Sequence, residues 1–255
     1  MIASTESNPG SPLIELQGVT KVYGTGHAAM RALAGIDLAI TEGDFVAIMG
    51  HSGSGKTTLM HLVGGLDLPD SGRIVVDGNE INAMSDTQRT LFRRRRLGIV
   101  FQAFNLLPTL SALENVMLPH LVDGRSSADA KARAKEVLET VQLGHRLKHR
   151  PALMSGGEQQ RVAIARALMV KPVLILADAP TGNLDPSSSR QIWGLLRSLC
   201  ETSRTTVIMV THEASAASHA DRVLFLKSGK LSGDAQPEGG GDAQLVADRY
   251  AQLAY

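Results

Sequence analysis

Residues 50–57 read Gly50-His51-Ser52-Gly53-Ser54-Gly55-Lys56-Thr57, and Thr58 follows directly. The pattern is that of a phosphate loop without a mismatch, and it lies between an apolar run and a helix-like stretch, as such loops require. The glycines let backbone N–H groups turn toward an anion, and the helix start adds partial positive charge. Lys56 would reach terminal phosphates, and Thr57 would offer a hydroxyl to Mg²⁺. The stretch from Gly50 to Thr58 is therefore the candidate phosphate-binding segment.

A second candidate is the carboxylate that ends the apolar run Val173-Leu-Ile-Leu-Ala-Asp178. Ligands of open parallel sheets bind at the carboxyl ends of the strands, where Asp178 is expected. An apolar strand that ends in aspartate is common, so alone it would indicate only a core strand and its turn. Together with the phosphate loop, it predicts that Asp178 faces Mg²⁺.

Composition excludes several classes of protein. Among 255 residues, 26 Lys and Arg nearly cancel 25 Asp and Glu, which disfavours direct binding of nucleic acid. The single cysteine, Cys200, cannot form an internal disulfide, and the first residues do not resemble a signal peptide, so a cytosolic location is expected. The apolar runs are shorter than a membrane span. Membrane association would therefore come only through a partner.

The order of predicted elements gives the domain organisation. Residues 1–12 are rich in Ser, Asn, Pro and Gly and indicate a flexible lead-in. Residues 13–233 carry strand patterns at both ends and a helical stretch at about 103–165. Residues 234–255 form a tail with a possible last helix from Ala243 to Leu253. Buried-strand runs that alternate with helices predict an α/β protein with a parallel sheet.

The stretch Ser155-Gly156-Gly157-Glu158 precedes a helix with an apolar face, and here the chain resembles the ABC ATPase family, of which Ser-Gly-Gly is the signature. Physically, it is a second helix N-terminus suited to a phosphate. The resemblance implies a phosphate-loop NTPase core with an N-terminal antiparallel β portion and an inserted helical subdomain. It also implies a head-to-tail homodimer, in which the ATP held by one phosphate loop meets Ser155 to Glu158 of the other copy.

Further matches to the family follow in order along the chain. Tyr23 resembles the aromatic residue that stacks on adenine, although it could also be an ordinary strand tyrosine. Gln102 resembles the glutamine that touches Mg²⁺, so the implied metal contacts are Thr57, Gln102 and Asp178. Gly182 to Asp185 matches the dimer-contact loop, and His212 matches the histidine that senses the γ-phosphate. A lone histidine after a strand is usually a polar loop residue, so this role depends on the series of motifs.

Other stretches resemble the macrolide-export and lipoprotein-releasing branch of the family, among them Gly64-Gly-Leu-Asp and Leu113-Glu-Asn-Val. Members of that branch pair with a permease that has few membrane helices and a large extracytoplasmic domain. The resemblance implies permease docking near Gln102 to Val116, chiefly Phe104 to Val116. It also implies a peripheral position on the cytoplasmic face of the inner membrane. The basic run Arg93 to Arg96 is either a solvated helix face or a contact for acidic lipids or a partner loop.

The candidate catalytic positions are Lys56, Ala179 and His212, and one of them departs from the family pattern. The family places a glutamate directly after the metal aspartate, where it polarises the attacking water, but this chain has Ala179. Loss of a general base lowers a rate by about 10² to 10⁴. Neither Glu158 nor Glu213 is an obvious substitute, so binding of ATP should survive while hydrolysis should be slow.

Three explanations of Ala179 remain open. The substitution could be engineered to trap the ATP-bound dimer, the site could be naturally slow, or the chain could be a regulatory subunit that has lost turnover. Intact motifs elsewhere favour the first. Repair, chromosome and translation ATPases of the same family are disfavoured, because the chain has no long coiled coil and one copy of each motif. A non-catalytic module that uses ATP to set a partner's conformation remains the alternative to a transport ATPase.

Overall fold

The computed structural model describes residues 12–237 and 242–254. These residues group into two units, one comprising the chain up to Thr90 together with the part from Val210 onward, and the other comprising Leu91–Met209. The predicted lead-in lies almost entirely outside the described residues, as does part of the predicted tail. The phosphate loop and His212 belong to the first unit, and the signature and Asp178 belong to the second.

The first unit contains an antiparallel sheet with strand order β2-β1-β4-β5. Buried side chains on one face of β1 alternate with more exposed ones on the other, which is the pattern of a sheet with one buried face. Ile14 at the start of β1 pairs with Ile40 of β2 and with Val76 of β4. The strands are β1 (Ile14–Tyr23), β2 (Met30–Ile40), β4 (Ser71–Val76) and β5 (Asn79–Glu80).

A second group of strands in the first unit leads into the phosphate loop. Strand β3 (Phe45–Met49) is buried at every position, which explains its continuous apolar run. It pairs in parallel with β9, which pairs antiparallel with β10. The remaining elements of this group are β9 (Arg222–Lys227), β10 (Lys230–Ala235), and the helices α1 (Lys56–Val63), α7 (Ala214–Ala217) and α8 (Ala243–Ala254).

The second unit contains strands in the order β8-β7-β6, with helices around them. Strands β6 and β7 are parallel, and Phe101 at the end of one pairs with Asp178 at the end of the other. In helix α6, Trp193 donates a hydrogen bond to Thr181, and Cys200 is buried. The elements are β6 (Leu97–Phe101), β7 (Leu174–Asp178), β8 (Thr206–Val210), α3 (Ala112–Val122), α4 (Ser127–Thr140), α5 (Gly156–Leu168) and α6 (Pro186–Ser203), while α2 (Asp86–Arg96) spans the boundary of the units.

Two helices differ from the expectation drawn from the sequence. Helix α2 was not predicted as a full helix, because it is mostly polar and buries only Phe92, so it has no apolar periodicity. Within the predicted helical stretch, helix α3 continues through Pro119 to Val122, although a proline commonly ends a helix. The proline falls near the end of the helix, where its missing N–H removes a single backbone bond. Among the described helices, none is both long enough and apolar enough to cross a membrane.

Candidate nucleotide site

The side chain of Lys56 folds back onto the phosphate loop that precedes it. The Nζ atom of Lys56 donates to the carbonyl oxygens of Gly50 at 2.8 Å and His51 at 2.7 Å. The backbone N–H of Ser54 donates to the carbonyl of His51 at 3.1 Å, which closes a tight turn. Gly55 precedes helix α1 as its N-cap, and no side chain caps this helix start. The ammonium group and the helix terminus therefore occur together, as binding of an anionic phosphate requires.

Two glycines of the loop leave no room for a side chain. A Cβ atom on Gly50 would lie 2.3 Å from the carbonyl oxygen of Leu226, and one on Gly55 would lie 2.4 Å from that of Ala32. Gly55 also has a φ of 106°, a left-handed conformation that favours glycine. The loop is therefore a cradle of backbone groups that fits a polyphosphate, in agreement with the chemistry expected from its sequence.

Tyr23 is held by charged neighbours that the sequence analysis did not identify. Its hydroxyl donates to Asp67 at 3.0 Å, and burial raises the pKa of the phenol. The Lys21 ammonium lies 5.2 Å from the ring centroid and pairs with Asp67 at 2.9 Å. The Tyr23 side chain is nevertheless exposed over 37% of its surface, so the ring can still accept a flat partner. Asp67 follows α1 far along the chain, and no local pattern linked it to Tyr23.

His212 directly follows strand β8 and is exposed. The preceding Thr211 is buried, and its N–H donates to the carbonyl of Ile48 at 3.1 Å. Ile48 belongs to β3, the strand that leads into the phosphate loop. This backbone bond therefore holds the His212 segment beside that strand.

In the second unit, the ends of β6 and β7 place Gln102 and Asp178 at the same edge, because the preceding residue of β6, Phe101, pairs with Asp178. The Nε2 of Gln102 donates to Oδ1 of Asn183 at 3.1 Å, and Nδ2 of Asn183 donates to the carbonyl of Gln102 at 3.2 Å. Asn183 lies in the segment predicted as a dimer contact. The reciprocal amide pair thus ties Gln102 to that segment.

Ala179 occupies an unusual backbone conformation. Its φ is 43°, in the left-handed region, and its carbonyl accepts a hydrogen bond from the N–H of Gly182 at 3.1 Å. This conformation costs a residue with a Cβ atom about 1–2 kcal/mol. Residues held in such conformations concentrate at functional sites, which makes the turn after Asp178 a candidate site in its own right.

The signature begins helix α5 with a capping box. Ser155 Oγ accepts from the N–H of Glu158 at 3.2 Å, and the Glu158 carboxylate accepts from the N–H of Ser155 at 2.8 Å. Arg146 pairs with the same carboxylate at 2.8 Å. The bond from the Ser155 backbone, with smaller contributions from Arg146, lowers the pKa of Glu158. The Ser155 hydroxyl also donates a hydrogen bond to this carboxylate, which lowers the pKa further.

We expect Glu158→Gln to destabilise the protein by about 1 kcal/mol at pH 7, because it removes the charge from the capping box. The pKa of Glu158 is lower in the folded chain than in the unfolded chain. Its contribution is therefore complete above the unfolded pKa and lost as the pH falls through the folded pKa. Urea unfolding at several pH values should show the variant and parent converging at acid pH. A stability difference that stays constant down to about pH 3 would contradict this.

The side chain of Asn115 holds the backbone of the segment Phe104 to Val116, which is predicted to dock a permease. This fully buried side chain accepts from the N–H of Leu107 at 2.8 Å and donates to the carbonyls of Leu107 and Leu110, each at 3.1 Å. Arg166 of helix α5 donates to the carbonyls of Phe104 and Asn105, both of which have left-handed backbones. The signature helix and the segment after Gln102 are thus bonded to each other. The sequence analysis assigned neither residue this role, although Asn115 is an amide among the otherwise apolar buried residues of α3.

Replacement of Asn115 by alanine is expected to lower the free energy of unfolding by about 2–4 kcal/mol, because buried backbone groups of the segment would lose their partners. Denaturant unfolding followed by far-ultraviolet circular dichroism would measure the loss. Thr109→Ala, at an exposed position of the same segment, serves as the matched control and should change stability by less than about 0.5 kcal/mol. Equal effects of the two variants would show that Asn115 does not hold the segment.

The basic run Arg93 to Arg96 ends helix α2. Arg95 pairs with Asp123 at 2.9 Å, and Arg94 lies 4.0 Å from the same carboxylate. Cations at the last turn of a helix also complement its dipole. Part of the run therefore has a structural role within the second unit.

The side chains predicted to hold Mg²⁺ can be compared with the ligands that this ion usually takes in proteins. Among the described residues, no group of three or more His, Cys, Asp or Glu side chains is arranged to hold a metal. Mg²⁺ typically uses one or two carboxylates together with substrate phosphates rather than an all-protein cage. The half-buried carboxylate of Asp178 at the end of β7 is a donor of this kind.

A phosphate loop after a buried strand, together with a capped glycine-rich helix start, defines an ATP-binding protein. The family model described as ABC transporter matches residues 33–182 of the chain. The chain belongs to this family, whose members couple ATP hydrolysis to transport.

Curated relatives match over most of their length. The lipoprotein-releasing system ATP-binding protein LolD of Xanthomonas campestris pv. campestris (strain 8004) is 45% identical over 231 residues, which cover 91% of this chain and 97% of the relative. The LolD protein of Psychrobacter arcticus (strain DSM 17307 / VKM B-2377 / 273-4) is 46% identical over 220 residues, covering 86% of this chain and 97% of the relative. The predicted resemblance to the branch that contains lipoprotein-releasing ATPases is thereby confirmed.

Solved structures confirm the predicted α/β fold. The cassette MJ0796, described as a dimer in a post-hydrolysis state bound to ADP and Pi, is 42% identical and superposes with a TM-score of 0.80 over 89% of this chain and 99% of that chain. The cbiO1 protein of Clostridium perfringens, described as part of the complex cbiONQ, is 27% identical and has a TM-score of 0.82 over 94% of this chain and 93% of that chain.

Proposed function

We propose that the chain is the ATP-binding subunit of a membrane complex that releases lipoproteins or exports a related cargo. The observation that carries the proposal is the occurrence in one chain of an intact phosphate loop and an intact capped signature. Identity of 45% to LolD of Xanthomonas campestris over 91% of this chain supports the choice of branch. The location that follows is the cytoplasmic face of the inner membrane, reached only through a permease.

The nucleotide in this proposal is Mg-ATP. Gly50 to Thr58 would surround the phosphates, with Lys56 as the main charged contact, and the exposed ring of Tyr23 would stack on adenine. Thr57, Gln102 and Asp178 would hold Mg²⁺, which neutralises phosphate charge when bound. His212 would contact the γ-phosphate. The glycine cradle and the exposed Tyr23 ring support this assignment.

The working form would be a head-to-tail homodimer. Ser155 caps α5 at the start of the signature helix, and its hydroxyl would contact the γ-phosphate of ATP held by the partner. Gly156 and Gly157 would complete that contact with backbone N–H groups at the helix start, and Glu158 would take part by holding Ser155 in the capping box. The dimeric form described for MJ0796 supports this arrangement.

Hydrolysis would be slow in this chain, because Ala179 has no group to polarise water. ATP would then stay bound, and the dimer would stay closed, for longer than when hydrolysis is fast. A second function follows from the same residue: a regulatory subunit that uses bound ATP to set the conformation of its membrane partner. Reversion of Ala179, with and without the permease, separates the two functions.

The permease would dock on the segment Phe104 to Val116. Leu107 exposes 48% of its surface there, next to the exposed Pro108 and Thr109. Asn115 and Arg166 fix the backbone of the segment, so an incoming permease loop would meet a preformed surface rather than a flexible one. Preformed surfaces bind with a smaller entropic cost.

Co-purification with the permease tests the proposed function. Leu107→Asp is expected to reduce recovery of the complex by at least about tenfold, because a charge would be placed in an apolar contact. Leu121→Asp is the matched control, since Leu121 is a leucine of the same unit with 41% exposure outside the docking segment. Recovery of the complex with Leu107→Asp at the level of the control would overturn the docking assignment. Failure of the unaltered chain to capture any permease would overturn the proposed function.

A further inference from the structure

The two halves of the phosphate loop are fixed to different degrees. Ser54 is buried, and its carbonyl accepts from the N–H of Gly229 at 3.0 Å, while Gly55 lies tightly against the backbone of Ala32. The first half, His51 to Gly53, is exposed. The space around Gly53 contains no heavy atom within 4 Å of an added Cβ atom among the described residues. Apart from the bonds that the His51 carbonyl accepts from Lys56 and Ser54, this first half is open to contact by another element.

The ring of Tyr250, in the last helix, lies against this exposed half. Its centroid is 5.4 Å from that of His51, with the rings tilted by 41°. The Tyr250 ring also stacks on Phe225, with a centroid distance of 6.0 Å and an interplanar angle of 26°. Phe225 is 1% exposed and pairs with Met49, the residue just before the phosphate loop. Three rings thus connect the buried strand β9 to the exposed half of the loop.

Helix α8, which carries Tyr250, is anchored to the first unit by two apolar side chains. Val246 is completely buried, and the Leu253 side chain packs on Gly233 of β10, where an added Cβ atom would approach it to 2.9 Å. These anchors lie on both sides of Tyr250, about one turn away from it in sequence. The position of the ring is therefore set by the core of the first unit rather than by the loop it touches.

We propose that Tyr250 is a positioning residue of the nucleotide site, holding the first half of the phosphate loop through His51 in the conformation that receives ATP. The chemical basis is preorganisation: backbone N–H groups that are already oriented bind phosphate with a smaller loss of entropy. An aromatic pair of this geometry corresponds to about a threefold to tenfold change in affinity. The role rests on ATP binding at the loop and requires neither hydrolysis nor a permease.

The contact also predicts an effect in the reverse direction. If Tyr250 favours the ATP-binding conformation of the loop, bound ATP must favour the docked position of α8 to the same degree. Amide hydrogen exchange in residues 243–253 should therefore slow when ATP binds. The tail, in which the sequence analysis named no candidate site residue, would then report the occupancy of the nucleotide site.

The experiment compares Tyr250→Ala, Tyr250→Phe and Gln252→Ala in the full chain. Affinity for a non-hydrolysable ATP analogue with Mg²⁺ is measured by competition against a fluorescent ATP analogue. We expect Tyr250→Ala to weaken binding by about threefold to tenfold, and Tyr250→Phe, which keeps the ring, to stay within about twofold of the parent. Gln252, exposed on the same helix, is the matched control and should also stay within about twofold.

A double-mutant cycle with His51→Ala provides the decisive comparison. Once either ring is removed, removal of the other should have little further effect on affinity, so the two changes should not be additive. Additive effects, or a loss with Gln252→Ala as large as that with Tyr250→Ala, would overturn the proposal. Hydrogen exchange of residues 51–54 without nucleotide gives an independent reading, and it should be faster in Tyr250→Ala than in Tyr250→Phe. Equal exchange would overturn the proposal even if the parent failed to bind ATP.

Discussion

Replacement of Ala179 by glutamate is expected to raise the rate of ATP hydrolysis by about tenfold or more, because a general base contributes about 10² to 10⁴ to such rates. The backbone can accept the change. Alanine and glutamate both carry a Cβ atom, so the left-handed conformation at this position costs each of them a similar free energy. Turnover should be measured as phosphate release from Mg-ATP, with and without the permease.

The control for this substitution is Ala179→Gln, which has the length of glutamate but cannot accept a proton from water. It should bind ATP like the parent and hydrolyse it as slowly. A glutamate variant that remained as slow as the parent in the presence of the permease would show that another feature limits turnover. In that case, the regulatory alternative would become the better description of the chain.

Replacement of Lys56 by alanine is expected to weaken ATP binding by about 10-fold to 100-fold, the usual effect of losing a charged hydrogen bond to phosphate. The ammonium group of Lys56 donates to two loop carbonyls, those of Gly50 and His51. Water can take over these bonds at an exposed loop, so the free energy of unfolding should fall by less than about 1 kcal/mol. Isothermal titration with a non-hydrolysable ATP analogue would measure the affinity.

Lys131→Ala provides the matched control, since Lys131 is an exposed lysine on helix α4. It changes net charge by the same amount as Lys56→Ala and should leave ATP affinity within about twofold of the parent. If both variants weakened ATP binding equally, a general charge effect would explain the loss. The phosphate loop would then not be the main site of ATP.

The parts that could be predicted from the sequence are those set by local pattern. The run from Phe45 to Val63 carries its strand, loop and helix in consecutive residues, and helix α1 follows the loop directly, as the pattern predicted. The signature likewise combines its N-cap serine and its glutamate within four residues. Such motifs are recognisable because the groups that act together are neighbours along the chain.

The parts that could not be predicted depend on contacts between distant residues. Asp67 holds Tyr23 from 44 positions away, and Arg166 reaches the carbonyl of Phe104 from 62 positions away. Tyr250 meets His51 only because α8 returns to the phosphate loop after the sheet is complete. Hydrophobic periodicity identifies helices and strands, but it does not say which side chains will meet across them.

Cys200, buried in helix α6, makes the chain suitable for spectroscopic labelling. A buried thiol reacts slowly with maleimide or nitroxide reagents, so the native cysteine can remain in place. A single cysteine introduced at an exposed position such as Gln252 would then carry a probe at one defined site. In a head-to-tail pair, each copy would carry one such probe, and the distance between the two would follow opening and closing in solution.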